Sequence, residues 1–242
     1  MATKRCIVVG GSSTVGRVLV GELARADTRT AFTYGRGRDV ADALCAQHAG
    51  TRAAKLDLSD LPSIQPTLNG LAREMGGVDA LIVCATQTSS VDPPVFEDVH
   101  DVTLVGFEKL LAVNVIGAFE AARSLAPHFD RGGNIIFFGS IDGLKPVPSP
   151  TPYAASKAAL AGLALSLGKA LGDKRICVNV LVPGVLESGA SRTLPSDLRT
   201  EYLKHCGLRR LGRIEEVTSV ARFLALENTY VTGQTITVDG GL

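Results

Sequence analysis

The sequence predicts an α/β fold: a single-domain, doubly wound parallel sheet of about seven strands with helices on both faces. Three observations lead there. Short apolar runs alternate with helical stretches of roughly ten or more residues along the whole 242-residue chain. Residues 80–85 are apolar without alternation, the mark of a strand buried on both faces of a parallel sheet. No linker, low-complexity tract or internal repeat interrupts the pattern before Asp239-Gly240-Gly241.

Residues 5–9 form a short apolar run that stops at Gly10-Gly11, which reads as a strand and a turn. Over 16–26, Val18, Leu19, Leu23 and Ala26 recur at helical spacing. A second strand is expected at 30–34, a helix at 40–47, a weaker strand at 52–56 and an amphipathic helix at 64–75. After the strand at 80–85, one long helix should cover 105–125. A strand at 134–138, an Ala- and Leu-rich helix at 153–171 and strands at 176–182 and 235–238 complete the series. Ligands of such sheets sit beyond the carboxyl ends of the strands, so the residues just after each strand carry the functional reading.

Composition narrows the function. Lys and Arg total 25 against 24 for Asp and Glu, so the basic excess of a phosphate-neutralising nucleic-acid binder is missing. The five cysteines (Cys6, Cys45, Cys84, Cys177 and Cys206) are odd in number and scattered, as are the four histidines. Neither a disulfide framework nor a metal site is expected. The apolar stretches are too short for a membrane span, and the start leads into a strand and not a signal segment. We expect a cytoplasmic protein.

Gly10-Gly11-Ser12-Ser13-Thr14-Val15-Gly16 follows the first strand and opens the first helix. Glycine permits a sharp turn and close approach to a pyrophosphate, and the helix N-terminus adds free N–H groups and a favourable dipole. Ser12, Ser13 and Thr14 add hydroxyl donors. The second strand is followed by Arg36 and Arg38, with no carboxylate before Asp39. Two arginines there favour a 2′-phosphate, hence NADP(H), unless they are solvated loop charges. Asp57, after the third strand, either bonds an adenine amine or caps the next helix.

Tyr153 and Lys157 are four residues apart, so they share a helix face. A cation held beside the phenol should lower its pKa from near 10 by roughly 1–3 pH units, which suits acid catalysis on a carbonyl oxygen. Ser140 follows the strand at 134–138, where its hydroxyl can hold the same oxygen. Asn114 lies inside the apolar stretch 110–116, where an amide without partners costs about 1–3 kcal/mol. Lys145-Pro146-Val147-Pro148-Ser149-Pro150-Thr151-Pro152 alternates proline up to Tyr153 and predicts a rigid wall beside the site.

These residues resemble those of the short-chain dehydrogenase/reductase family along essentially the whole chain. The matches are Gly10 and Gly16, Asp57, Asn114, Ser140, the Tyr153/Lys157 pair, Asn179 with Pro183-Gly184, and the ending from Gly233 to Gly241. The resemblance implies a Rossmann-type fold, with Tyr153 as general acid and Ser140 orienting the carbonyl. It makes Lys157 lower the Tyr153 pKa and hold the nicotinamide ribose, and Asn114 keep a water in the proton relay. Along the cofactor it places Gly10, Ser12, Ser13, Thr14, Val15, Gly16, Tyr34, Arg36, Asp57, Leu58, Cys84, Ala85 and Thr86. Tyr153, Lys157, Pro183, Gly184, Leu186 and Ser188 complete that set.

Two departures touch the cofactor side. Val9 and Thr14 replace the usual Thr and Gly of the glycine motif, and Val83-Cys84-Ala85-Thr86 stands where the family has Asn-Asn-Ala-Gly. Residues 207–217 and 231–241 are most similar to 3-oxoacyl-carrier-protein reductases, which implies a 3-oxoacyl thioester substrate; the apolar helix face over 105–125, together with the resemblance, suggests a homotetramer. Arg131 and Lys174 then become contacts for an acidic carrier protein at the cleft mouth, or else are solvated charges. The segment 187–213, with six basic and three acidic residues, is open to the same two readings. The alternatives are an NAD-dependent dehydrogenase of a small secondary alcohol and a catalytically silent NADP-binding regulatory protein.

Overall fold

Cys6, Ile7, Val8 and Val9 carry no exposed apolar surface, which only the centre of a sheet covered on both faces can provide. The computed structural model describes residues 3–89, 99–189 and 195–242. Chain order runs β1 (Arg5–Val9), α1 (Thr14–Arg25), β2 (Arg29–Tyr34), α2 (Arg38–Gln47), β3 (Arg52–Lys55), α3 (Leu61–Met75) and β4 (Ala80–Val83). Then follow α4 (Leu104–Leu111), α5 (Ala118–Leu125), β5 (Gly133–Phe138), α6 (Thr151–Ala170), β6 (Ile176–Pro183), α7 (Ser196–His205), α8 (Ile214–Leu226) and β7 (Thr235–Val238). All seven strands join one sheet of order β3-β2-β1-β4-β5-β6-β7, and every pairing is parallel. The order reverses between β1 and β4, so the crevice of the fold opens at their carboxyl ends.

Strand alternation divides the core in two. Ile7, Leu81, Ile135 and Val178 face Leu68, Leu125 and Leu160 of α3, α5 and α6. Val8, Phe32, Ile82 and Ile136 face Leu19, Leu23, Val217 and Leu224 of α1 and α8. Each such side chain contributes about 1.5–3 kcal/mol by leaving water. At the entry edge of the sheet Arg5 and Arg131 both bind buried Asp79, with Nε–Oδ2 at 3.0 Å and Nη2–Oδ2 at 2.8 Å. Burial works to raise the Asp79 carboxyl, and the Arg5 and Arg131 bonds overcome it and hold it below its ordinary value.

The expected elements are present with boundaries moved by up to three residues, and three of the differences have a plain physical reason. The helix expected at 16–26 begins at Thr14, because Ser13 Oγ accepts the Gly16 N–H at 3.1 Å and caps it. The strand expected to reach Ala85 leaves the ladder after Val83, where the N–H groups of Cys84 and Ala85 both reach the Val9 carbonyl. The single helix expected over 105–125 is α4 and α5 joined by a π-helical turn, Ala112–Gly117. Sequence periodicity did not separate α7 or α8. The first buries little besides Tyr202; the second has Val217, Ala221, Leu224 and Ala225 at helical spacing and was legible. Among the described residues no helix is long and apolar enough to cross a membrane.

Candidate active site

Where β1 ends, Gly10 takes φ +85°, and a Cβ there would fall 2.5 Å from the Ala85 backbone nitrogen. A Cβ on Gly16 would collide with the Gly10 carbonyl and lie 2.8 Å from Ser13 Oγ. These glycines let the loop fold tightly against the β4 exit and leave the α1 N-terminus facing the crevice. Ser12 abuts Gly37, where a Cβ would lie 3.3 Å from Ser12 Oγ, so the loops after β1 and β2 meet. Tyr34 is half-buried at the end of β2, and Arg36 beyond it is exposed. Asp57 is exposed and accepts the Ser59 N–H at 2.9 Å and hydroxyl at 2.7 Å. Those bonds, with Arg36 and Lys55 nearby, hold its carboxyl below the ordinary value. Asp57 therefore shapes its own turn; Asp60, not Asp57, stands at the start of α3.

The catalytic candidates meet where β5 ends. Ser140 opens a short turn, Ile141–Gly143, that lies flat on α6 because a Cβ on Gly143 would strike Lys157 and Ala158. Tyr153 and Lys157 project from the first and second turns of α6, with Lys157 Nζ 5.7 Å from the centre of the Tyr153 ring. Nζ donates to the Phe138 carbonyl at 2.8 Å. The Ser140 and Thr86 hydroxyls face the Tyr153 side chain and act to lower its proton affinity. Asn114, on the π-helical turn, accepts from the Gln87 N–H at 2.8 Å and from Thr86 Oγ1 at 3.2 Å. Its Nδ2 donates to the Gln87 carbonyl and to Ser156 Oγ, each at 2.9 Å. The buried amide thus has every partner its placement required. Ser156 donates in turn to the Tyr153 carbonyl at 2.7 Å.

The expected lowering of the phenol is not what this site shows. Burial pushes Tyr153 above its ordinary value and the Asp142 charge adds to that, against the Ser140 and Thr86 hydroxyls. Lys157 stands over the ring face and is held by a backbone carbonyl. Burial pulls the Lys157 ammonium itself down to about 8, against the charge of Asp142. Asp142 was not singled out in the sequence. Its Oδ2 accepts the Ser140 hydroxyl, and burial raises its carboxyl against that bond, its own backbone N–H and Lys157.

On the far side of the crevice the chain leaves β6 through Pro183, Gly184, Val185 and Leu186. Tyr202 of α7 holds this loop: its hydroxyl donates to the Asp239 carbonyl at 3.0 Å and accepts the Val185 N–H at 3.3 Å. A Cβ on Gly184 would lie 2.6 Å from that hydroxyl. Ser188 is half-buried, and a Cβ on Gly189 would sit 3.7 Å from Thr14, so the loop reaches back to the glycine turn.

A family model described as enoyl-(acyl carrier protein) reductase matches residues 10–242. The chain belongs to the short-chain dehydrogenase/reductase family. It is 33% identical to carbonyl reductase family member 4 of Xenopus tropicalis, over 99% of this chain and 98% of the relative. It is 29% identical to the 3-oxoacyl-[acyl-carrier-protein] reductase of Thermotoga maritima, over 99% and 97%. The structure of a blue fluorescent protein from a metagenomic library in complex with NADPH superposes with a TM-score of 0.88. That protein is 29% identical, over 98% of this chain and 97% of its own.

As a short-chain dehydrogenase/reductase, the chain brings Gly10 to Gly16, Ala85, Thr86, Asn114, Ser140, Tyr153, Lys157 and the 183–188 loop to one sheet edge. Leu58, Cys84 and Leu186 have their side chains in the hydrophobic core, which leaves their main-chain groups to offer a cofactor. Burial pushes the Cys84 thiol up to about 12. Arg131 and Lys174 are not at the cleft mouth: each precedes a strand, β5 or β6, at the opposite edge, and Arg131 is held by Asp79. In the basic segment, Arg210 pairs with Glu216 and Lys204 with Glu201, while Arg192 is outside the described residues.

Proposed function

We propose that this chain is an NADPH-dependent carbonyl reductase whose substrate is a 3-oxoacyl thioester, carried on a carrier protein or on coenzyme A. One observation carries the reading: Tyr153, with Ser140 beside it and Lys157 over its ring, stands at the same sheet edge as a glycine turn too tight for any side chain. The Gly10–Gly16 turn and the α1 N-terminus fit a pyrophosphate, and exposed Arg36 fits a ribose 2′-phosphate. The thioester assignment is supported by the family model's description and by the Thermotoga maritima relative. The NADPH complex of the fluorescent relative supports the cofactor.

Bound NADPH supplies a hydride. Ser140 and Tyr153 converge on the oxygen of the substrate carbonyl, and Tyr153 gives that oxygen its phenolic proton. Lys157, a cation over the ring, limits the negative charge left on the tyrosinate and would hold the nicotinamide ribose of the bound cofactor. Asn114 acts through position, since its amide ties Thr86 and Gln87 to α6. Carrier contact through Arg131 or Lys174 would have to come from another copy of the chain within a homotetramer.

The test is cofactor oxidation followed by absorbance, with NADPH or NADH and acetoacetyl thioesters, in wild type and Tyr153→Phe. Rapid turnover with NADPH alone is expected, and the substitution should lower it about 10²–10⁴-fold while NADPH still binds. NADPH binding without turnover in wild type would shift the assignment to another carbonyl or to a regulatory protein. Turnover of a secondary alcohol with NAD would sink the thioester reading.

A further inference from the structure

Tyr202 is the only buried side chain of α7, and the mechanism above gives it no task. Its hydroxyl meets the loop that leaves β6. It accepts the Val185 N–H at 3.3 Å and donates at 3.0 Å to the carbonyl of Asp239, the residue after β7. Gly184 makes room for it, since a Cβ there would lie 2.6 Å from the hydroxyl and 2.7 Å from Asp239 Cα. The hydroxyl is thus wedged between the carboxyl ends of two paired strands, β6 and β7.

The loop's main-chain bonds show what the wedge does. The Gly184 N–H donates to the Val238 carbonyl at 3.0 Å, the Gly212 N–H to the Val185 carbonyl at 3.0 Å and the Glu187 N–H to the Gly212 carbonyl at 2.9 Å. Those bonds run from main chain to main chain, whereas the Val185 N–H relies on a side chain. The loop stands at the carboxyl end of β6, and Gly189 beyond it approaches Thr14 of the glycine turn. With the phosphates at the β1 turn and the reacting carbonyl at Tyr153, the nicotinamide half of the cofactor falls on the side of the crevice that this loop closes. We propose that Tyr202 is a positioning residue for the cofactor: it holds the 183–186 loop in the shape that receives the nicotinamide half of NADPH. The inference rests on the proposed reductase reading and gives a role within it to a residue which that reading leaves unused.

Removing the hydroxyl alone treats its two partners differently. The Asp239 carbonyl keeps a donor, because Cys206 Sγ also donates to it at 3.6 Å. The half-buried Val185 N–H loses the acceptor that Tyr202 supplies. The phenyl ring of a Phe would still fill the space that Tyr202 occupies under α7. The change is therefore local to the 183–186 loop. It leaves alone the Gly10–Gly16 turn and Arg36, which the reductase reading assigns to the adenosine half of the cofactor.

The experiment is Tyr202→Phe in the full chain, with Gly184→Ala as the second variant. Dissociation constants are measured by calorimetry for NADPH and for 2′,5′-ADP, which carries only the adenosine half of that cofactor. Tyr202→Phe should bind NADPH about tenfold more weakly, the loss of one hydrogen bond, and 2′,5′-ADP as tightly as wild type. Gly184→Ala keeps Tyr202 but pushes the loop off its hydroxyl, and should give the same split. If Tyr202→Phe does not fold, Gly184→Ala decides on the same two constants. Hydrogen exchange at the Val185 amide, followed without nucleotide, should be about tenfold faster in Tyr202→Phe than in wild type. Equal weakening of both nucleotides would mean a general loss of structure and overturn the proposal. Unchanged NADPH affinity, with Val185 exchanging as in wild type, would overturn it too. If wild type binds neither nucleotide, the reductase reading fails and the Tyr202 role falls with it. A wild type and a Tyr202→Phe variant that bind NADPH equally well overturn the Tyr202 role alone.

Discussion

Lys157 is an ammonium only 5% exposed to water, and its position sets a conflict between stability and chemistry. Its charged form is disfavoured by burial, so it binds its proton less tightly folded (about 8) than at the ordinary value of 10.5. Between those two values the unfolded chain holds more protons, so stability rises with pH across that window. Below it the folded chain carries the full penalty, about 3 kcal/mol. Lys157→Met should therefore be more stable than wild type at pH 7 in urea unfolding, with the gap closing as pH rises from about 8 to about 10. The same variant should lose turnover. A stability gap that does not change with pH would mean that the ammonium is not strained by its site. At this scale the sequence was most readable where chemistry depends on fixed spacing: Tyr153 with Lys157, and Ser140 thirteen residues before Tyr153. Asp142 was not legible, because a carboxylate two residues after a serine is ordinary turn composition. Only the packing of that turn on α6 brings it into the cluster.

The segment before α6 joins local stiffness to the position of the candidate catalytic Tyr153. No regular structure covers 146–150, α6 begins at Thr151, and Pro152 is buried in its first turn, as the proline spacing predicts. Val147 packs on the core and Lys145 is tied to Asp239 and to the Leu242 carbonyl, which anchors the start of the segment, while buried Pro152 anchors its end. Replacing Pro148 and Pro150 by Gly should release the unfolded and folded chain alike, raise KM for bulky ketones and broaden substrate use. Unchanged KM values across a series of ketones of increasing size would show the wall to be a surface loop. The π-helical turn illustrates the opposite case. Its one-turn widening places Asn114 against Gln87 and Ser156, and a periodic pattern of apolar residues over 105–125 cannot register such a local change.

For the molecule as a whole, the sheet is covered on both faces, yet α4, the π-helical turn and α5 keep apolar side chains outside. Leu104 is 79% exposed, and Val105, Ile116 and Phe119 are exposed too. Under the proposed homotetramer this face is covered by another copy. Leu104→Glu with Phe119→Ser should then lower the mass measured by light scattering, whereas an unchanged mass would place the contact elsewhere. The sequence by itself determined the α/β class and the parallel sheet and singled out the main candidate catalytic residues, because strand burial and helix spacing are local patterns written in neighbouring residues. Tertiary structure alone decided which charges share space. It sent Arg131 to Asp79 at the far edge, put Leu58 and Cys84 in the core, and set Asp142 against Ser140 and Tyr153. Hydrogen-bond direction and desolvation depend on neighbours tens of residues apart, and only folding brings those together.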